Sequence, residues 1–310
     1  MANKFVKSFN FGVEDNYFPL PFVNAEQNGM VLKVVDGEWK ATQLVMDWSK
    51  ITWADGTDDQ IVAMVAAADA GKINLSDYWS VGDTRIVSLS AMDHTLERDE
   101  NGQIINSNIG VSDSHDAQTV EFTLMHAGGY ELNTTTESGR AECSFVVGMK
   151  NCLNTMGCMD RSGKNVGSWN SSGRRDWCNN VFYNAIPNTL RDIFKQFKVI
   201  TAETYNGTNL QTSVDWFTLP AEKEIYGAGY GYDGDGWANN TEANSENLFQ
   251  YDWYKTVSNR IKTANGSAAY WWERSPSGRG NSYYCCVRED GTDYYGTTTL
   301  ARGLAPVGVI

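Results

Sequence analysis

The spacing of apolar residues changes period several times along the chain, and each period predicts an element. Val31, Lys33 and Val35 alternate with Leu32 and Val34, and Asp36-Gly37 follows directly. Alternation ended by Asp-Gly predicts a β-hairpin with a two-residue turn. A single hairpin buries too little area to stand alone, so it should pair with another chain or pack on a larger body. Over residues 57–71 the period becomes helical: Ile61, Met64, Val65 and Ala68 share one face. Thr57 and Gln60 can form a capping box there, and Gly71 suits the position just past the helix end. Tyr78-Trp79-Ser80-Val81-Gly82-Asp83 then opens a run of strands, in which Val120, Phe122 and Leu124 alternate with Thr119, Glu121 and Thr123.

Two further helices are predicted, near 174–185 and 187–198. Ser171 or Ser172 can cap the first, which carries Trp177, Val181 and Phe182. The second starts at Pro187 and has Leu190, Ile193, Phe194 and Phe197 as its apolar stripe. Strands are expected at 269–276, ended by Pro276, at 283–287 and at 303–310. Short antiparallel strands with two main helices make the fold class α+β.

Composition narrows the class. The chain has 310 residues, 41% hydrophobic, 12% aromatic and 20% charged, which describes a globular protein of one large or two modest domains. A net charge of −13 disfavours nucleic acid and anionic membranes as partners. No apolar run reaches the length of a membrane span, and no signal-peptide core follows Met1. We therefore expect no membrane insertion, and synthesis in a cytoplasm without the usual export.

Candidate chemistry is sparse. The six cysteines, Cys143, Cys152, Cys158, Cys178, Cys285 and Cys286, contain no CxxC pair, and the three histidines lie away from them. A zinc site is not expected on that pattern, and reduced, mostly buried thiols are. Cys285 and Cys286 should point to opposite faces of one strand, which lets one of them be buried. His94, Asp113, His115 and Asp116 gather in the polar stretch 94–118 and could bind a metal, although polar loops often gather such residues by chance. Residues 227–240 read GAGYGYDGDGWANN, without the Lys-Ser/Thr of a phosphate loop. Asp233, Asp235 and Gly236 resemble part of a calcium loop, but the bidentate Glu is out of register. A surface loop is the expectation; no cofactor is expected, with calcium the alternative. No Ser-His-Asp order, nucleophile elbow or HExxH is present, so an enzyme is not expected. A glycosidase-type carboxylate pair stays open, because sequence does not give its separation.

Several blocks carry a resemblance: Tyr78 to Asp83, Gly167-Ser168-Trp169 with Ser172-Gly173-Arg174-Arg175, Ile186-Pro187, Trp271-Trp272-Glu273-Arg274-Ser275-Pro276, and Gly303-Leu304-Ala305-Pro306. In that order, over about residues 71–310, they resemble a domain of unknown function widespread in phages and prophages of gut bacteria. Leu219 to Ile225 fits the family's pattern loosely, and Glu273 stands where the family usually has Leu. The resemblance implies a C-type-lectin-like fold, related to the formylglycine-generating enzyme. That enzyme's spaced cysteine pair does not carry over to the adjacent Cys285 and Cys286. It also implies that Trp79, Trp169, Trp271 and Pro306 belong to the core.

Asn24 to Lys40 resembles a segment common in phage tail and decoration proteins. Residues 277–304 resemble the variable region of a diversity-generating retroelement, which alters adenines in Asn codons; Glu289 is the one residue outside the permitted set. The chain is accordingly divided into a virion-attachment or oligomerisation segment (1–45), a linker and helix (46–70) and a lectin-like domain (71–310). It is expected in the virion, assembled in the host cytoplasm, as a homo-oligomer contacting other virion subunits and a host cell-surface protein or glycan. Arg279, Asn281, Tyr283, Tyr284, Arg288, Asp293, Tyr294, Tyr295 and Arg302 are the expected ligand-binding set. They should lie mostly exposed on one face, with one of Tyr283 and Tyr284 buried. Tyr offers rigid amphipathic area at low entropy cost, and Arg and Tyr dominate contact energies. The alternatives are a decoration or tail protein without a receptor, and an enzyme such as a glycan hydrolase.

Overall fold

The computed structural model describes residues 8–10, 17–19, 30–35, 38–43, 47–92, 114–165, 167–227 and 240–310. The chain divides into two units, Met1–Lys50 and Ile51–Ile310. In the first unit β1 (Ser8–Asn10) pairs antiparallel with β2 (Tyr17–Pro19), and β3 (Met30–Val35) with β4 (Glu38–Gln43). Val35 lies opposite Glu38, so two residues close the second hairpin, as the Asp-Gly signal requires.

The second unit opens with α1 (Asp58–Asp69). Thr57 accepts from the Gln60 amide while the Gln60 side chain accepts from the Thr57 amide, which completes the predicted capping box. At the other end Gly71 has φ +70°. Lys72 and Gly71 donate to the Ala67 and Ala68 carbonyls, a Schellman arrangement. Ile61, Met64, Val65 and Ala68 are all buried. The helix therefore belongs to the second unit's core.

The remaining elements follow in order. They are β5 (Thr84–Leu89), β6 (Gln118–Ala127), β7 (Phe145–Met149), α2 (Gly173–Trp177), a π-helical turn (Cys178–Phe182), α3 (Tyr183–Ala185), α4 (Asn188–Arg191), β8 (Phe197–Ala202), β9 (Leu210–Asp215) and β10 (Phe217–Thr218). Next come α5 (Glu222–Tyr226), α6 (Asn240–Ala243), β11 (Lys262–Ala264), β12 (Ser267–Ala269), β13 (Trp271–Pro276), β14 (Tyr283–Val287), β15 (Asp293–Thr297) and β16 (Val307–Val309). The main sheet has the order β10-β16-β7-β6-β5, every neighbouring pair antiparallel. A second sheet, β13-β14-β15, carries the C-terminal segment, and β8-β9 and β11-β12 are two-stranded. The fold class is α+β, with its strands in small antiparallel sheets.

Phe122 of β6 is the hub of the core, its ring contacting Phe182, Phe194 and Phe217 at 5.9–6.4 Å. Asn179, inside the π-turn, donates to Phe217 O and accepts from the Trp216 amide, tying the helical run 173–185 to β10. The second predicted helix is corrected: only Asn188–Arg191 is helical, and Phe197 begins β8. Leu190, Ile193, Phe194 and Phe197 are buried all the same. Their spacing reflects burial from several sides, because Phe197 pairs with Asp215 in β8-β9 and bridges to Leu132. Trp79, Trp169, Trp271 and Pro306 are buried as expected.

All six cysteines are buried, and none is in a disulfide. Cys285 and Cys286 do alternate across β14, but both are buried because both faces of that strand are covered. Among the described residues no helix is long and apolar enough to cross a membrane. His94, Asp113, Asp233, Asp235 and Gly236 lie outside the described residues. His115 is buried with its ring 5.2 Å from Trp177.

A polar network fixes the second sheet to the rest. The register of β13 against β14 shifts between Trp272 and Pro276, and all six β13 residues are buried. The Arg274 amide bonds Pro220 O instead of β14. Its guanidinium, wholly buried, holds both carboxylate oxygens of the wholly buried Glu224 at 2.5 and 2.7 Å. Tyr130 and Tyr251 hydroxyls and the Ala221 amide donate to the same carboxylate. A buried pair broken on one side leaves the other charge unpaired. Arg274→Met should therefore cost about 3–5 kcal/mol in denaturant unfolding. Trp271→Ala, a core aromatic truncation, should cost about 3–5 kcal/mol in the same measurement.

Lys262 gives a pH-dependent signature. It is buried, donates to the carbonyls of Met149 and Lys150, and lies over the Trp271 and Tyr254 rings. Burial lowers its pKa from 10.5 to about 8. Between these values the unfolded chain keeps a proton that the folded chain has released, so folding gains stability as pH rises. Relative to Lys262→Met, the wild type should thus become more stable as pH is raised from about 8 to 10. Parallel stability curves for the two proteins would overturn this assignment.

Candidate functional site

β14 and β15 pair without a break from Tyr283 opposite Thr297 to Val287 opposite Asp293. The turn before β14 is held by Asn165, whose amide group donates to the carbonyls of Gly280 and Tyr283. β15 is the outer strand of this sheet. On it, Tyr295 lies opposite Cys285 and Tyr294 opposite Cys286. The two tyrosine rings nevertheless stack with centroids 5.0 Å apart. Side chains alternate between faces of a strand, so this contact runs round the free edge of β15.

From this pair a chain of planar contacts spreads both ways. Tyr283 meets Tyr295 edge-on at 5.4 Å, and the Arg279 guanidinium lies 5.7 Å from the Tyr295 ring. Arg288 stacks on Tyr294 at 4.2 Å, and Tyr294 meets Tyr270 at 6.1 Å. Arg302 covers Tyr270 at 4.5 Å and Trp272 at 5.4 Å. Six of the nine sequence-predicted residues, Arg279, Tyr283, Arg288, Tyr294, Tyr295 and Arg302, are thus brought into one array. Tyr270 and Trp272 extend it and were not singled out as ligand residues; as part of an aromatic strand they gave no signal beyond core packing.

The predicted exposure needs correction. Arg279 and Asn281 are exposed, whereas Tyr283, Arg288, Tyr294, Tyr295 and Arg302 are half-buried within the stacked array, and Asp293 is half-buried beside it. Tyr284 is wholly buried, the exception expected of the Tyr283–Tyr284 pair, and leaves the surface set. Alternation turns it to the face opposite Tyr283, where it lies across from Pro276. Asn281 and Asp293 make no ring contact in the array, though Asp293 stands on the same strand.

Electrostatics set this surface apart. Among the described residues no carboxylate forms an ion pair with Arg288 or Arg302. The Arg302 Nε is buried without a hydrogen-bond partner. Gly296 makes room for this guanidinium: a Cβ there would stand 2.7 Å from Arg302 Nε and 2.8 Å from the Trp272 ring.

A second cluster lies against the same sheet, at Cys285 of β14. Glu222, Glu273 and Cys285 are wholly buried, and a ligand atom of each lies within 4.8 Å of the others. Burial pushes Glu222 up to about 8. Burial and the neighbouring Glu222 push Glu273 well above the usual carboxylate range, and burial pushes the Cys285 thiol up. Sequence reading missed this group because its members come from three segments that only the β13 irregularity brings together.

Residues 149–306 match the model of a family described as a domain of unknown function (DUF6273), and the chain belongs to that family. The matched span runs from the end of β7 to the residue before β16 and includes both clusters. No curated protein and no solved structure matches the chain.

Gly296→Ala should cost about 1–3 kcal/mol in thermal or denaturant unfolding, since the new methyl overpacks Trp272 and displaces Arg302. An unchanged midpoint would mean that Arg302 is not seated on β15.

Proposed function

We propose that the chain is a phage-type virion surface protein that binds a host-surface protein or glycan through the Arg–Tyr array, on a domain of C-type-lectin-like fold. The observation that carries this reading is the array itself. Three arginines lie against tyrosine faces round a sheet edge, and two of them have no ion-pair partner among the described residues. Arg and Tyr are the side chains that dominate contact energies, and stacking holds them ready at small entropic cost. In a chain of net charge −13, residues 277–304 are formally neutral, with Arg279, Arg288 and Arg302 matched by Glu289, Asp290 and Asp293. The array also falls largely within residues 277–304, the segment that resembles a retroelement-diversified region.

Two surface hollows elsewhere, of about 220 and 180 Å³, are smaller than usual small-molecule sites. The hairpins of the first unit present strand edges suited to pairing with other virion subunits. Homo-oligomerisation through them would multiply a weak single-site affinity. The lectin-like assignment is supported by the resemblance and by the small antiparallel sheets around a helix-backed core.

The test is adsorption of purified protein to cells of the host strain. Replacing Arg288 and Tyr294 with Ala should weaken adsorption about 30-fold or more, as hot-spot truncations do. Arg279→Ala, at an exposed position, should weaken it while moving stability by only about 0.5 kcal/mol. Undiminished adsorption with all three replaced would remove the receptor-binding reading and leave that of a structural decoration or tail protein.

A further inference from the structure

Four glutamates are wholly buried around β13 and α5, and they fall into two kinds. Glu224 receives Arg274, two tyrosine hydroxyls and an amide. Glu242 receives the Ala202 amide and the Ser275 hydroxyl. Glu222 and Glu273 receive neither: none of their four oxygens accepts from an amide, hydroxyl or guanidinium among the described residues. A buried carboxylate without a partner is strongly unfavourable. Two of them lie with Cys285 Sγ so that the three ligand atoms are within 4.8 Å of one another, burial favours their protonated forms, and no cation among the described residues is paired with them. Asp293, on the same face of the sheet as Cys285, adds its charge to both.

We infer that Glu222, Glu273 and Cys285 are the protein ligands of a structural divalent cation of the zinc class. The donor set selects the class. A thiolate disfavours calcium and magnesium, which take oxygen ligands, whereas zinc and cobalt accept thiolate and carboxylate together. Binding forms two metal–oxygen bonds and one metal–sulfur bond, and the protons held by the carboxyl and thiol groups pass to solvent. Cysteine and histidine spacing gave no expectation of zinc; this set is assembled across the fold, from α5, β13 and β14. Because every ligand is buried, the ion enters as the chain folds and leaves only when it opens.

The geometry supplies its own control. Cys286 is the adjacent residue, is equally buried, and lies on the opposite face of β14. The full chain, without a tag, is unfolded in chelator and refolded with Co²⁺, then dialysed against fresh chelator. The wild type should retain about one cobalt per chain and show near-ultraviolet thiolate-to-cobalt absorption. Cys286→Ser should keep both metal and absorption, while Cys285→Ser should lose the absorption and most of the metal. Glu273→Gln should lose metal and melt at a lower temperature than the metal-loaded wild type. A wild type that refolds without retaining cobalt overturns the inference whatever the variants do. So does equal retention by the two cysteine variants. A Glu273→Gln protein that melts higher than the wild type refolded with metal would also overturn it, marking the cluster as a carboxyl pair that merely shares protons.

Discussion

The bidentate pair between Arg274 and Glu224 is the contact on which the second sheet depends. It lies in a dry interior, so its worth is measured less by its own attraction than by what an unpaired partner would cost. Glu224 belongs to α5 and Arg274 to β13; Tyr130 follows β6, and Tyr251 precedes the turn leading to β11. One carboxylate therefore gathers four distant stretches of chain. The irregularity in β13 is the local consequence. Arg274 leaves the β14 ladder to bond Pro220 and Leu219, and Glu273 and Ser275 are drawn inside with it. A polar sequence such as Glu-Arg-Ser can then be wholly buried without violating the rule that buried polar groups need partners; Glu273 is the exception that the rule singles out.

A second network repeats the logic at the helical end. Asp215 is buried at the end of β9 and accepts from the Trp169 indole, the Ser213 hydroxyl and the Arg175 guanidinium. Arg174, beside it, stacks on Trp177 and donates to Cys158 O. The two blocks that look most like surface chemistry in sequence, Ser-Gly-Arg-Arg and Trp-Trp-Glu-Arg-Ser-Pro, are thus interior joints.

How far the fold was legible in sequence follows from range. Thr57, Gln60 and Gly71 act within one helix, so α1 could be bounded to a residue or two. Asp36-Gly37 acts within one hairpin and set its register. Phe194 and Phe197 misled, because a helical spacing of apolar residues arises equally when a chain is enclosed by β6, β10 and the helical run. The Arg–Tyr array was legible as composition, and its residues do meet. Its exposure was not, since stacking is a pairwise property that composition does not carry. The Glu222–Glu273–Cys285 cluster left no trace in sequence, for its spacings match no local motif and its closure depends on an irregular strand.

The position of β16 has a consequence for how the chain is made. Val307–Val309 pairs with β10 on one side and β7 on the other, yet β7 ends at Met149. During synthesis the main sheet must wait for this interior strand on the order of ten seconds, at the rate ribosomes elongate. Throughout that interval β7 presents Phe145, Val146 and Val147 along an unpaired edge, the kind of surface that invites pairing with a neighbouring chain. For copies made together on one message, this late strand is the point at which correct folding and mutual entanglement compete.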